Sequence, residues 1–225
     1  MRVLIVGATG PCGILLIQDS LVHGHDVVVY ARSPSRLPPD IPANDRVTVI
    51  EGQLGDAETL KRALQGVDAV LSALGPPVSV KSPLYPSDTP IAKGYVVLVQ
   101  AMKDVGCRRL IALGTTSIKD PSDRFSPTFF ALVTGVMALA TNAYRDVVQC
   151  GKIITESGLD WTVARVPVLN DQDDIEYIAG YVGDGHTKPV LTRKAFAKFC
   201  LDELEAKVWV QKLPLVTSPR IWPRH

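Results

Sequence analysis

The chain has 225 residues, is 46% hydrophobic and 21% charged, and carries a formal net charge of +1. That is enough chain for one α/β domain with a substantial core. So balanced a charge leaves no basic field for nucleic acid. The four cysteines, Cys12, Cys107, Cys150 and Cys200, form no CxxC pair. Their scatter argues against a metal site or a disulfide framework and for a reducing, cytoplasmic setting. Met1 runs straight into a predicted strand, so no signal peptide is expected. The most apolar stretch outside the strands, residues 129–140, is shorter than the roughly 20 residues a bilayer span needs, so no membrane partner is expected.

Residues 3–6 are a short apolar run ending in glycines, which predicts a buried strand. Residues 14–22 are apolar at helical spacing and stop at Gly24. A β-branched run at 27–30 predicts a second strand, and 47–50, after a proline-rich loop, a third. Asp56 is placed to cap a helix reaching about Gln65, ended by Gly66. A fourth strand is predicted over 67–74, a helix over 91–105 ended by Gly106, and a fifth strand over 110–113. A helix over 142–157 ends at Gly158, and a sixth strand follows over 161–166. Thr192 caps a last helix to about Ala206, and 213–217 predict a short terminal strand. Strand and helix alternate, and the strands are continuous apolar runs, the pattern of a parallel sheet covered on both faces. The predicted fold is one doubly wound, Rossmann-type α/β domain over the whole chain, with small C-terminal elements covering the substrate.

Gly7-Ala8-Thr9-Gly10-Pro11-Cys12-Gly13 joins the first strand to the first helix, with G-x-x-G-x-x-G spacing. In that context the motif predicts a dinucleotide seat. Gly7 permits the tight turn, Gly10 lets a pyrophosphate approach the backbone, and Gly13 lets the helix pack on the strand. Thr9, Pro11 and Cys12 complete the turn, and the helix N-terminus offers N–H groups and a positive dipole end to phosphates. An NAD-binding unit places an acidic residue after the second strand. Here Ala31, Arg32, Ser33 and Arg36 stand there. Two guanidinium groups suit a 2′-phosphate and no carboxylate repels it, so NADP(H) is the expected cofactor. Gly52 to Asp56, with Leu54, borders the adenine, and Ala73, Leu74 and Gly75 let the backbone approach the ribose and nicotinamide.

GATGPCG, ARSPSR, GQLGD, SALG and TESGLDWTVARVP together resemble the atypical short-chain dehydrogenase/reductases. The chain is most similar to their NAD(P)H-binding, NmrA-like group, which includes biliverdin-IXβ/flavin reductase, and to fungal reductase-like proteins of secondary metabolism. The similarity covers nearly the whole chain and is weakest between about Asp120 and Tyr144. It implies that Pro167 and Val168 touch the nicotinamide amide. It also implies that the end of the fifth strand, with Gly114, Thr115, Thr116 and Ser117, runs beside the nicotinamide ring and the substrate.

The Y-x-x-x-K relay of ordinary short-chain dehydrogenases is missing. Val148 stands four residues after Tyr144, and Lys152 comes two turns on, out of easy reach of a site shared with Tyr144. Many atypical members keep a lysine or histidine near Val147, and biliverdin-IXβ reductase has histidines at about Val147 and Val168; both are apolar here. His23, His25, His186 and His225 are expected in loops or at the terminus. The remaining catalytic candidates are Thr115, Ser117 and Tyr144. Hydride transfer to a flavin, quinone or enone tolerates this gap, because the acceptor stabilises its own product anion and protons come from solvent.

Two segments are expected to wall an apolar pocket beyond the strand ends. One is residues 76–90. The other is 120–143, with Phe125, Phe129, Phe130 and Met137. Residues 180–185 are expected to close over it. The leading function is an NADPH-dependent reductase of a hydrophobic or aromatic small molecule. The alternatives are a redox-neutral isomerase, dehydratase or cyclase that retains NADP, and a non-enzymatic NADP sensor. Assembly as a homodimer is left open.

Overall fold

A computed structural model of the chain describes residues 1–76 and 84–220. An eight-stranded sheet runs through it. Its first half is β1 (Arg2–Val6), β2 (Asp26–Ala31), β3 (Val47–Glu51) and β4 (Ala69–Ser72). Its second half is β5 (Arg109–Thr115), β6 (Asp160–Val166), β8 (Ile178–Gly180) and β10 (Leu215–Thr217). The spatial order is β3-β2-β1-β4-β5-β6-β10-β8. Every neighbour pair is parallel except the last, where β8 runs against β10. The order reverses at β1, which sends β2 to one side and β4 to the other. At such a switch point the loops diverge and leave a crevice at the carboxyl ends of the strands.

Alternate strand residues feed two different cores, which is why the strands show no polar alternation. Val3, Ile5, Val27, Val29 and Leu71 meet α1 (Pro11–Val22) and α6 (Arg193–Ala206) on one face. Leu4, Val28, Val70, Leu110 and Ala112 meet α2 (Ala57–Ala63), α3 (Pro90–Val105) and α5 (Thr141–Thr155) on the other. The expected caps form. Asp56 accepts from the Thr59 N–H at 3.1 Å, and Thr192 Oγ1 accepts from the Ala195 N–H at 2.9 Å. Gly66 and Gly106 take positive φ just past their helices.

The structure departs from the sequence reading in four places. β4 covers only Ala69–Ser72, because Val67 still belongs to the turn off α2, its N–H bonding the Leu64 carbonyl. β7 (Val168–Asn170) and β9 (Val190–Thr192) form a separate two-stranded parallel sheet, and β8 joins the main one. These three-residue strands carry no periodicity to read. Residues Pro127–Leu139 form a helix of their own, α4, bent by 117° from α5. His25, expected in an exposed loop, is buried with Nε2 unpartnered, and burial holds its imidazole below the ordinary range.

Two buried arginines stitch the distant half of the sheet. Arg109 bonds Glu203 at 2.7 Å beneath α6, and Thr162 Oγ1 and the Val208 and Trp209 N–H groups also donate to that carboxylate. Arg165, fully buried on β6, makes a two-pronged pair with Asp123, at 2.6 and 2.8 Å. Its other N–H groups donate to the carbonyls of Leu213 and Ile118. The Arg165 side chain therefore faces inward as a brace for the loop after β5.

Candidate functional site

The three glycines of the β1–α1 turn do three different jobs. Gly7 has φ +74°, and a Cβ there would lie 2.7 Å from the Ala73 carbonyl carbon and 2.9 Å from the Leu74 nitrogen. That close approach seats the end of β4 directly against the turn. A Cβ on Gly13 would collide with the Gly7 carbonyl oxygen and lie 2.6 Å from Ala8 Cα. Gly10 is open by contrast, its nearest neighbour the Gly7 oxygen at 3.4 Å. Gly10 is also the N-cap of α1, and no side chain caps that helix. Pro11 at the first position brings no N–H. The N–H groups of Cys12 and Gly13 thus face an open cradle at the positive end of the helix dipole, which fits an anionic pyrophosphate. Thr9 is half-buried and Pro11 exposed at the rim. Cys12 is buried, and burial pushes its thiol up to about 11, so what it offers the turn is its backbone N–H.

After β2, Arg32 is exposed before a single 3-10 turn, Pro34–Arg36, and Arg36 is exposed at its end, with Ser33 half-buried between Arg32 and the turn. Neither arginine is ion-paired among the described residues. The neighbouring loop after β3 is held by Tyr30, whose hydroxyl donates to the Gln53 carbonyl at 2.7 Å. Burial pushes that phenol up to about 12, so it stays a donor. Leu54 fits into the gap that Gly94 leaves on α3, where a Cβ would come within 2.8 Å of it.

Beyond Ala73 and Leu74, Gly75 leads into residues 77–83, the middle of the first expected wall, which lie outside the described residues. At the end of β5, Gly114 is buried against Val163, and Thr115 Oγ1 accepts from the Ser117 N–H at 3.2 Å. Its own proton remains available to a ligand. Pro167 and Val168 link β6 to β7, with Val168 about half exposed.

Helix α5 distributes its side chains by angle. Ala143 is buried and Val147 packs on the core, so the face toward the sheet is apolar. Asp146, fully buried, points to α3 and takes the place of a missing cap. It accepts from the Ile91 and Ala92 N–H groups at 3.0 and 2.8 Å and from the Tyr85 hydroxyl at 2.6 Å. Tyr85 is thereby fixed to α5, and burial followed by the Asp146 carboxylate drives its phenol pKa well up. Sequence reasoning missed Asp146. Its signal was a carboxylate on the same helical face as the apolar Ala143 and Cys150.

Tyr144 stands roughly opposite Asp146 on the helix and lines a groove of about 360 Å³ with Ser117, Lys119, Val148, Lys152, Thr155 and Leu213 among others. The structure thus brings Ser117 and Tyr144 together. Thr115 does not line that groove. Lys152, expected out of reach, shares the groove, although eight residues of helix set it about 12 Å along the axis from Tyr144.

The second expected wall is only partly built. Phe129 is buried with Val182 and Leu215, while Phe125 and Phe130 lie exposed, 6.0 Å apart. Asp123 anchors the approach to α4 through Arg165 and accepts from the Asp120 and Val182 N–H groups. Burial opposes its ionisation, but Arg165 and those N–H groups outweigh burial and hold the carboxyl below the ordinary range. The expected cover packs here too. Gly183, at φ +75°, leaves no space for a Cβ against the Arg124 carbonyl. No group of three or more metal-ligating side chains occurs among the described residues.

A protein-family profile described as NAD(P)H-binding matches residues 7–207. The oxidoreductase ptaF of Pestalotiopsis fici is 28% identical over 167 residues, 71% of this chain and 62% of that protein. The chain thus spans less than two thirds of that relative's length. A short-chain dehydrogenase/reductase from Veillonella parvula, solved in complex with NADP, superposes with a TM-score of 0.79 at 22% identity, over 97% of this chain and 94% of that one. ChuY, an anaerobilin reductase from Escherichia coli O157:H7, superposes with a TM-score of 0.74 at 17% identity over all of both chains. These two structures share the fold, including its parallel sheet and flanking helices.

Proposed function

The chain belongs to the NAD(P)H-binding family, and from that premise we propose that it is an NADPH-dependent reductase of a small conjugated or aromatic molecule. One observation carries the substrate class. The face of α5 that turns to the sheet holds Ala143 and Val147, with no proton donor, while the dinucleotide cradle beside β4 is intact. A plain ketone needs a positioned acid at that place, whereas a flavin, quinone or enone stabilises the charge it receives.

In this reading the N–H groups of Cys12 and Gly13 hold the pyrophosphate over Gly10. Arg32 and Arg36, with Ser33, grip the 2′-phosphate. Leu54 borders the adenine, and Ala73, Leu74, Gly75, Gly114, Pro167 and Val168 line the nicotinamide end. When bound, the reduced nicotinamide supplies a hydride. Ser117 and Tyr144 orient the acceptor by hydrogen bonds from their shared groove and Thr115 does so from the end of β5 outside it, and the proton comes from solvent. The reductase and oxidoreductase names of the relatives support this reading. The apolar α5 face also favours one alternative, a redox-neutral reaction with NADP retained.

The test is NADPH oxidation by the purified protein against a panel of flavins, quinones and enones, with deuterium on the transferring face. Deuterium in the product supports the reductase. Product formed with NADPH unconsumed and no deuterium moved overturns it in favour of the redox-neutral reaction.

A further inference from the structure

Among the described residues, helix α4 is held by its first half alone, where Phe129 and Leu132 pack against Val182 and Leu215. Of its thirteen residues only Phe129, in the first turn, is buried. Other apolar side chains stand in water: Phe130 is 62% exposed, Val136 48%, Met137 43% and Leu139 74%. Phe130 and Leu139 are nine residues apart, which at about 100° per residue puts them on opposite sides of the helix. The first half therefore rests on its Phe129–Leu132 side, and from Val136 to Leu139, four successive exposed residues, the exposure runs round the helix. A flat protein surface would cover one side of such a helix, whereas a fluid apolar medium covers every side.

The charges around it select the medium. Residues 125–144 contain no ionisable acid or base other than Tyr144, and Arg124 and Arg145 bracket the run. Lys119 and Lys152 line one groove with Tyr144, next to Arg145. All four cations are exposed, and none is ion-paired among the described residues. Of the nearby carboxylates, Asp123 is committed to Arg165, Asp146 is buried under α3 and Asp184 accepts from the Tyr181, His186 and Thr187 N–H groups, leaving Asp120 and Glu156. A second copy docked through α4 about a two-fold axis would set like cations face to face. An anionic lipid surface pairs with them.

We propose that α4 lies in the headgroup–acyl boundary of an anionic membrane, with Lys119, Arg124, Arg145 and Lys152 against the lipid phosphates and carboxylates. It is a helix lying in the surface, since no single helix among the described residues is long and apolar enough to cross a bilayer. The expectation of no membrane partner rested on span length alone, which does not bear on a helix of this kind. Lys119 and Lys152 share their groove with Ser117 and Tyr144, but vesicle binding is read without any turnover, so the test stands or falls apart from the reductase reading.

Flotation with vesicles tests it, using phosphatidylcholine alone and phosphatidylcholine mixed with phosphatidylserine. The protein is expected to float with the mixed vesicles and to be released by salt. Val136→Ser combined with Leu139→Ser should weaken that binding by about tenfold or more, since each withdraws an apolar group from the lipid. Unchanged circular dichroism and NADPH titration show that the variant is folded. Arg124→Glu combined with Arg145→Glu should remove the preference for phosphatidylserine. Protein that stays in buffer with both vesicles overturns the proposal, as does equal binding to both. So does a dimer that forms without lipid and is dissolved by the serine variant, which would assign α4 to a second copy.

Discussion

The cradle between β1 and β4 and the corner between α4 and α5 lie in one fold but are built on opposite terms. In the cradle, backbone meets backbone. Gly7 touches the Ala73–Leu74 peptide and Gly13 touches Gly7, so there is no slack, and only Gly10 opens outward. At the corner, side chains do the holding, and few of them hold. Asp123 ties the loop after β5 to Arg165 of β6 and Asp146 ties α5 to the start of α3, while the second half of α4 stands exposed. Such a difference suits a protein that keeps its cofactor in a fixed place and meets varied molecules elsewhere. Loops and partly anchored helices carry specificity, and the sheet carries the invariant contacts.

The sharpest way to break this comparison is at Gly10. Gly10→Val should leave the thermal midpoint nearly unchanged, because the position is open, yet remove measurable NADPH binding by filling the pyrophosphate space. Calorimetric titration beside a melting curve checks both halves. Normal binding would mean that Gly10 does not face the phosphate.

At the corner, the largest effect is expected at Asp123. Asp123→Ala strands the buried Arg165 guanidinium and should cost about 3–5 kcal/mol of stability, read by urea unfolding. The pair also sets a pH dependence. The carboxyl of Asp123 lies below its ordinary value in the folded protein. Its contribution is therefore full above about pH 4, the unfolded value, and is lost as pH falls toward the lower folded value. Wild type should destabilise more steeply than the variant in that window. Parallel pH curves for the two would show that the pair contributes no such dependence.

A smaller effect separates the two ends of the cofactor. Arg32→Ala should weaken NADPH by roughly ten- to hundredfold, about 1.5–3 kcal/mol, and leave NADH almost unmoved. Equal wild-type affinities for the two cofactors would remove the 2′-phosphate assignment.

The same contrast explains what was legible in the sequence. Gly7, Gly10 and Gly13 announce their geometry because only glycine satisfies it, and the uninterrupted apolar runs announce a sheet buried on both faces. Asp56 and Thr192 mark helix starts because their side chains bond their own helices. Asp146 showed in the sequence only as a carboxylate on an apolar helix face; its partners could not be read, because it caps a helix more than fifty residues away in the chain. Arg165 stands in TESGLDWTVARVP, two residues before the Pro167 that the resemblance sets at the nicotinamide, and nothing in its neighbours reveals that the side chain turns inward to Asp123. β7, β8 and β9 are too short to carry a period. The apolar run of α4 suggests a pocket wall, since sequence reports hydrophobicity and not what covers it.

The smallest expected effect concerns Tyr144. It shares a groove with Ser117 on the side of α5 turned away from α3, while the sheet-facing positions are Ala143 and Val147. A phenol in that place can orient a ligand, but Lys152 is too far along the helix to activate it. Tyr144→Phe should therefore keep most of kcat with a quinone or enone acceptor. Removing the Thr115 and Ser117 hydroxyls together should lower kcat/KM by about tenfold, some 1.4 kcal/mol, chiefly through KM. A general acid behaves otherwise, because its loss costs about a hundredfold or more in kcat and flattens one limb of the pH profile. If Tyr144→Phe does that, the proton comes from the α4–α5 corner, and the division between a rigid cofactor end and a merely positioning substrate end fails at this residue.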